Sequence, residues 1–409
     1  MSSAWTQSIK IIAIVLAGLQ LLSLSSPSAH AQTSNQAFAE TLSAKDQKAF
    51  NAYLTAKTFH EADKDAFWAK VTATRKKRRA KIRKGGLVTP RDYVNEFPPE
   101  YTGPKLSSSI DKKWRRWKAR AQAKKPKKKR RELPNVADFL RNAKKHYGFV
   151  PERIPEREFK RRYAKEALRL GLTKDQVVRV YALETGGNGT ADMQAGIHPI
   201  SKKGRPISSA LGYAQLLTAN STSELAKHGK EFLSRLRRMR DAVTNQQRRA
   251  TLDEKIKKLG RMVRKAKSIP FNWGRHRKFA RTGPGQGIHA LNLDGDIGPW
   301  LQVIKLKGIK NLAVRKGRPD IDSTELELMN LAGPSTGLEM MGSVGLQMST
   351  VNFFARRGYE RNSVVRGRNS KELLAELKKR MDYNSRNKGA KLFTTVFDEL
   401  IAERQASAQ

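Results

Sequence analysis

The 409-residue chain contains no cysteine. Disulfides, thiolate metal sites and a lipid-modified N-terminal cysteine are thereby excluded, and the core must hold without covalent staples. Acid is scarce: 37 Asp and Glu stand against 82 Lys and Arg, a formal net charge of +45. A field of that sign favours anionic partners, whether nucleic acid, acidic lipid headgroups or a carboxylate-bearing polymer, without choosing among them. Strand signals are few, so the expected fold class is mainly α. The seven histidines show no metal-ligand spacing, and neither a metal nor a cofactor is expected. The apolar run Ile11–Leu24 is short for a membrane span of about 20 residues and is interrupted by Gln20 and Ser23.

What the N-terminus does have is an ordered set of signals. Lys10 is the only charged residue before Glu40; the apolar run follows it, then Ser-Ser-Pro-Ser, then Ala29-His30-Ala31. That is the order of a secretory signal peptide, with cleavage expected after Ala31. The mature protein is then periplasmic or secreted, which argues against intracellular nucleic acid as its main partner.

Residues 32–132 read as a basic N-terminal arm, partly disordered. Phe50, Tyr53 and Leu54 have the spacing of a short amphipathic helix. Arg75–Lys84 is almost pure positive charge, and a second basic block runs from Lys112 to Arg131 with Trp114 and Trp117 one helical turn apart. Two tryptophans among cations suit an anionic interface such as lipid headgroups or lipopolysaccharide. From residue 133 to 409 the pattern is that of a compact helical domain. Phe159, Tyr163, Ala167 and Leu170 recur at helical spacing, and Thr173–Gln176 is a capping-box pattern opening the next helix. Ser221–Glu224 reads as another, opening a charged helical hairpin over about 221–270. Gly283–Gly287 reads as a loop, Asp294-Gly-Asp296 as a turn and helix start, and Leu346–Phe354 as a further helical stretch.

The candidate site is the stretch Val177–Gly187. An apolar helix runs into Glu184 and stops on Thr185, Gly186 and Gly187. Val177, Val180, Tyr181 and Glu184 share one face, so the carboxyl should be partly desolvated and near the negative end of the helix dipole. Both effects disfavour the ionised form. A carboxyl kept protonated near neutral pH can protonate a leaving-group oxygen. A salt-bridged glutamate at a helix end is the ordinary alternative, given so many cations.

Glu184-Thr185-Gly186-Gly187, followed by Gly212-Tyr213-Ala214-Gln215-Leu216, resembles the lytic transglycosylase branch of the lysozyme-like superfamily. That family has a catalytic Glu-Ser at a helix end, a Gly-Leu-Met-Gln-type motif and then a Tyr-Asn-Ala-Gly-type motif. Thr185 stands where serine is usual, and Tyr213-Ala214 where Leu-Met is usual. Met329-Asn330-Leu331-Ala332-Gly333-Pro334 falls in the place of the third motif, without its tyrosine and with one extra residue; Tyr383-Asn384 competes for that place. The resemblance covers about residues 135–400, with the hairpin as an insertion. It implies a lysozyme-like domain acting on peptidoglycan glycan strands. Glu184 would be the single general acid and base, cleaving the β-1,4 bond and closing a 1,6-anhydro sugar. Thr185, Gly212, Tyr213, Gln215 and Asn330 would line the saccharide groove, and the basic arm would hold an anionic envelope surface. A hydrolytic muramidase, an inactive glycan-binding scaffold and a secreted polyanion-binding protein are the other readings. Asp192, Asp294 and Asp296 are the candidates a hydrolase could recruit as a second acid. The leader reading is checked by intact-mass spectrometry of the exported protein, which should begin at Gln32.

Overall fold

The computed structural model describes residues 35–123 and 132–407; the expected leader, residues 1–31, and the basic run 124–131 lie outside them. The chain divides into two compact units, Met1–Arg130 and Arg131–Gln409. Helices dominate both, and among the described residues β-structure is confined to isolated bridges such as Gln194 with Leu211.

The described part of the first unit is folded rather than a loose arm. Its centre is α1, Ala44–Arg83, a helix of 40 residues that Ser43 caps by accepting from the Asp46 amide at 3.2 Å. The apolar positions around Phe50 and the cationic run from Arg75 are parts of this one helix. Helix α2, Ser108–Ala123, carries the two tryptophans. Trp114 is buried, with its ring 4.7 Å from Phe38 and 5.1 Å from Phe50, and Trp117 packs on the same cluster. The expectation of an interfacial tryptophan pair is therefore corrected. One helical turn brings both indoles, with Ile110 of the same helix, into the cluster with Phe38 and Phe50, and apolar burial claims them. Arg78, inside the basic run, is also buried, stacked 4.2 Å from the Tyr93 ring centre.

The second unit holds the remaining helices: α3 (Val136–Tyr147), α4 (Glu156–Arg169), α5 (Lys174–Thr185), α6 (Thr218–Asp241), α7 (Gln246–Lys267), α8 (Trp273–Phe279), α9 (Gly283–His289), α10 (Ile297–Arg315), α11 (Ser323–Ala332), α12 (Pro334–Met340), α13 (Arg356–Arg361), α14 (Ser370–Asn384) and α15 (Lys388–Ala406). The hairpin is α6 and α7. It is not an appendage: Leu225, Phe232, Leu236, Leu252, Leu259 and Met262 are fully buried in one core with Phe139, Leu291, Ile297 and Leu301. Helix α6 starts one turn before the expected capping box. Ser221 is thus inside the helix, and its hydroxyl meets His289 Nδ1 at 2.8 Å.

The hairpin is also tied by charge. Lys255 of α7, 5% exposed, reaches Asp294 at 3.2 Å, Glu152 at 2.9 Å and Asp296. Arg248 adds Glu152 at 2.6 Å and Asp296 at 3.0 Å, while Arg162 of α4 reaches Asp296 at 2.7 Å. Asp294 also accepts from the amides of Asp296 and Ile297 at 3.1 and 3.0 Å, opening α10. Removing one of the three buried members, Lys255, Asp294 or Asp296, would strand the others at a cost of about 3–5 kcal/mol.

Two further local expectations change. Residues 283–289 are helical, because Thr282 Oγ1 accepts from the Gly285 amide at 3.3 Å and Pro284 suits a first turn. A Cβ on Gly287 would lie 2.9 Å from the Asn142 carbonyl oxygen, so the glycines let α9 lie close on α3. Residues 346–354 hold two short 3₁₀ turns instead of a helix. There Thr350 donates its hydroxyl to the Val365 and Arg368 carbonyls at 2.6 and 2.8 Å, pinning the segment to a neighbouring loop.

Because the hairpin supplies core, Phe232→Ala should cost about 3–5 kcal/mol of stability. Urea denaturation of the full chain reads this; a change under about 1 kcal/mol would mean that the hairpin is a separable insertion.

Candidate functional site: a buried pair of carboxyl groups

Helix α5 opens on the capping box expected of it. Thr173 Oγ1 accepts from the Gln176 amide, and Gln176 Oε1 from the Thr173 amide, both at 3.1 Å. Val177, Val180, Tyr181 and Ala182 are buried, so the inward face is the one the sequence marks. The helix ends at Gly186, whose φ of 63° is left-handed. Gly187 follows at φ 69°, and a Cβ there would lie 2.1 Å from the Asn384 carbonyl oxygen. No other residue satisfies both demands. The turn between α14 and α15 and the first turn of α15 close over this end: Asn387 Nδ2 donates to the Gly186 carbonyl and the Ala390 amide to the Gly187 carbonyl, each at 2.8 Å.

Glu184 is therefore held on a stapled helix end. Its residue surface is partly exposed, next to exposed Gly186, but its carboxyl points to α11. Asn330 Nδ2 donates to Glu184 Oε1 at 2.8 Å and to Glu327 Oε2 at 3.2 Å. Glu327 is 2% exposed. One amide group thus bridges two carboxyl groups, each of which bears electrostatically on the other. Asn330 Oδ1 is buried and has no donor among the described residues. Burial pushes the Glu184 carboxyl above its ordinary range, while the charge of Lys305 on α10 and the hydrogen bonds from Asn330 and Glu327 pull the other way. Glu327 is pushed well above its range, first by burial and then by the charge of Glu184.

Glu327 and Asn330 are three residues apart on one helix and so share a face. That spacing was available in the sequence. What it could not supply was the register of α11 against α5, which decides that this face meets Glu184. Among the sequence-marked residues, Asn330 alone is hydrogen-bonded to Glu184.

The others lie elsewhere. Tyr213 is fully buried: its hydroxyl donates to Glu156 Oε1 and accepts from Lys160 Nζ at 3.1 Å. An enclosed ring with a saturated hydroxyl cannot line a groove, so the groove-lining role expected of Tyr213 is corrected. The ring instead forms a box with Tyr181 and Phe393 around the Lys160 ammonium, whose distances to the three ring centres are 4.4, 4.8 and 5.6 Å. Thr185 is buried with its hydroxyl donated to the Tyr181 carbonyl at 2.6 Å, a helix-end role that leaves nothing for a sugar. Gly212 takes a φ of 76° and packs against the Gln302 amide. Gln215 sits at φ 42°, with Nε2 donating to the Gly212 and Met193 carbonyls at 2.7 and 3.2 Å, so its amide braces its own turn.

The loop between the two motifs is held by the Lys160 box. Tyr181 donates its hydroxyl to the Gly189 carbonyl at 2.7 Å, and the Ala191 amide donates to Glu156 Oε2 at 3.1 Å. Asp192 is engaged by Thr190, Lys202 and Arg153, which hold its carboxyl down at about 2 despite burial. Asp294 and Asp296 belong to the Lys255 cluster. Among the described residues no group of His, Asp and Glu has a metal-holding arrangement, and no helix is long and apolar enough to cross a membrane.

Compared with known proteins, the chain matches no family model, no curated protein and no solved structure.

The pair makes stability depend on pH in a defined direction. Both folded-state pKa values lie above the unfolded ones, so this contribution is complete below about pH 4, the unfolded glutamate value. It is lost as pH rises through the folded values. Glu327→Gln removes one of the two titrations. The stability of Glu327→Gln minus that of wild type should therefore increase from pH 4 to pH 8 in parallel denaturation series; a difference independent of pH would mean that Glu327 is not protonated in the folded protein.

Proposed function

We propose that the protein is a peptidoglycan-cleaving enzyme of the lytic transglycosylase type, with Glu184 as its single general acid and base. The observation that carries the reading is the setting of Glu184: a carboxyl fixed at a helix end, bridged by Asn330 to a buried second carboxyl, and pushed by burial toward its protonated form. Such a group can give its proton to a glycosidic oxygen as the C–O bond breaks. The ionised Glu184 then takes the proton of the muramic 6-hydroxyl as that oxygen closes on the anomeric carbon. The carboxyl ends as it began, and no water is consumed.

A second carboxylate able to reach the sugar would favour hydrolysis, since a hydrolase needs one to activate water or to attack the anomeric carbon. Glu327 is the carboxyl that shares the Asn330 amide with Glu184, and it is buried. Asp192, Asp294 and Asp296 are each committed to cations. This distribution supports the single-acid route. Export through the expected leader brings the enzyme to its polymer in the periplasm or outside the cell. The cationic surface of the first unit suits an anionic envelope, although its tryptophans are spent on its own core.

Digestion of purified sacculi with wild type and Glu184→Gln, followed by mass spectrometry, tests the reading. Wild type should release 1,6-anhydro-muropeptides, and the variant should fall by about 10²–10⁴-fold. Reducing-end products would make the enzyme a hydrolase, and undiminished release by the variant would remove Glu184 from the chemistry.

A further inference from the structure

Glu327 is not needed by the reaction just described, yet a carboxyl group 2% exposed and placed against another must be explained. The Asn330 amide donates to Glu184 Oε1 at 2.8 Å and to Glu327 Oε2 at 3.2 Å. The two carboxyl groups bridged by this amide are near enough for the charge of one to bear on the other. Two carboxylates in that arrangement repel, whereas a carboxyl and a carboxylate attract through the remaining proton. One proton at least must therefore reside on the pair.

The charges around it do not relieve this requirement. On α10, Lys305 bears on both groups. On α4, Lys160 and Glu156 neutralise each other at 2.7 Å. On α14, Asp382 is engaged by Arg179 at 2.7 Å, and on α15 Asp398 by Lys174 at 2.7 Å. One lysine faces two acids, so the neutral state of one of them is the one the packing accommodates.

Resting on the reading of Glu184 as the acid, we propose that Glu327 is a positioning residue that keeps its own proton throughout turnover. With Glu184 still protonated, the pair is neutral. When Glu184 gives its proton to the leaving-group oxygen, it becomes a carboxylate, and the Glu327 O–H and the Asn330 N–H both donate to it. When Glu184 recovers a proton from the 6-hydroxyl, the pair is neutral again. Glu327 thus stabilises the charged form of Glu184 without adding a charge of its own. No proton, electron or water is gained or lost by Glu327 over the cycle.

The division of labour makes Gln an adequate substitute and Leu an inadequate one. Glu327→Gln keeps a neutral donor and should retain activity within about threefold, whereas Glu327→Leu removes the donor and should lose about 10- to 100-fold, the scale of one hydrogen bond to a charge. Loss of the donor makes ionised Glu184 less stable, so the alkaline limb of the Glu327→Leu pH–rate profile should move to higher pH. Thermal unfolding confirms that each variant is folded before it is assayed.

A readout independent of activity separates this proposal from the functional reading. Infrared spectra of the full chain at pH 7 should show a buried protonated carboxyl in Glu184→Gln that disappears in the double variant Glu184→Gln/Glu327→Gln. Absence of that band in folded Glu184→Gln overturns the proposal, whatever the enzyme does to sacculi. A Glu327→Gln variant as inactive as Glu184→Gln, with the band assigned to Glu327, also overturns it by making Glu327 a direct participant. If the band behaves as expected but sacculi are not cleaved, the proton assignment stands and the transglycosylase reading fails.

Discussion

The buried ammonium of Lys160 is the constraint on which the rest of the second unit depends. A cation 1% exposed is costly, and its neighbours exist to meet that cost. Glu156 pairs with it at 2.7 Å, one helical turn away, and the rings of Tyr181, Tyr213 and Phe393 present their faces. These five residues come from α4, α5, the Gly212–Leu216 turn and α15. A single charge thus fixes the relation of four segments far apart in sequence. The free carboxylate oxygen of Glu156 then takes the Ala191 amide, and the Tyr181 hydroxyl takes the Gly189 carbonyl. The loop that leaves Glu184 is tied back to the same point. Tyr213 consequently belongs to the scaffold beneath the site, which accounts for a large tyrosine in a motif whose neighbours are glycine and alanine.

The Glu184 end of α5 is over-determined in the same way. Gly187 satisfies a left-handed φ and a backbone contact that no side chain could share, and two hydrogen bonds, one from the α14–α15 turn and one from the start of α15, close over this end. Rigidity here has a direct electrostatic consequence. A carboxyl free to rotate would turn to water and ionise; one bridged by Asn330 to a second carboxyl stays where burial acts on it. Packing, not the helix dipole alone, raises its pKa.

The sequence displays what local chemistry decides. The capping box at Thr173, the left-handed glycines after Glu184, the inward face of α5 and the helical hairpin are all readable from spacing and residue type. Less legible is anything set by which faces meet. Trp114 and Trp117 look equally suited to a lipid surface and to a core, and only the presence of Phe38 and Phe50 across from them decides. The hairpin reads as an insertion because its charges are conspicuous, but its buried Leu225, Phe232 and Leu259 make it part of the core. Gln215 carries the same difficulty: a glutamine can bind sugar or brace a turn, and its positive φ, invisible in sequence, turns its amide back onto Gly212.

Glu327 is the sharpest instance. Considered alone it is one of two acids on its helix, where salt bridging is the ordinary outcome. Its neighbours along the chain give no cation: Leu326, Leu328 and Met329 are buried apolar residues. Across the interface stands Glu184, another acid. A chain carrying 82 Lys and Arg has had every opportunity to put a cation there. Lys305 is the one that bears on the pair, and it offsets at most one of the two possible charges. An excess of positive charge everywhere else makes this local deficit informative, because the least expensive way to bury two acids with one cation between them is to keep a proton.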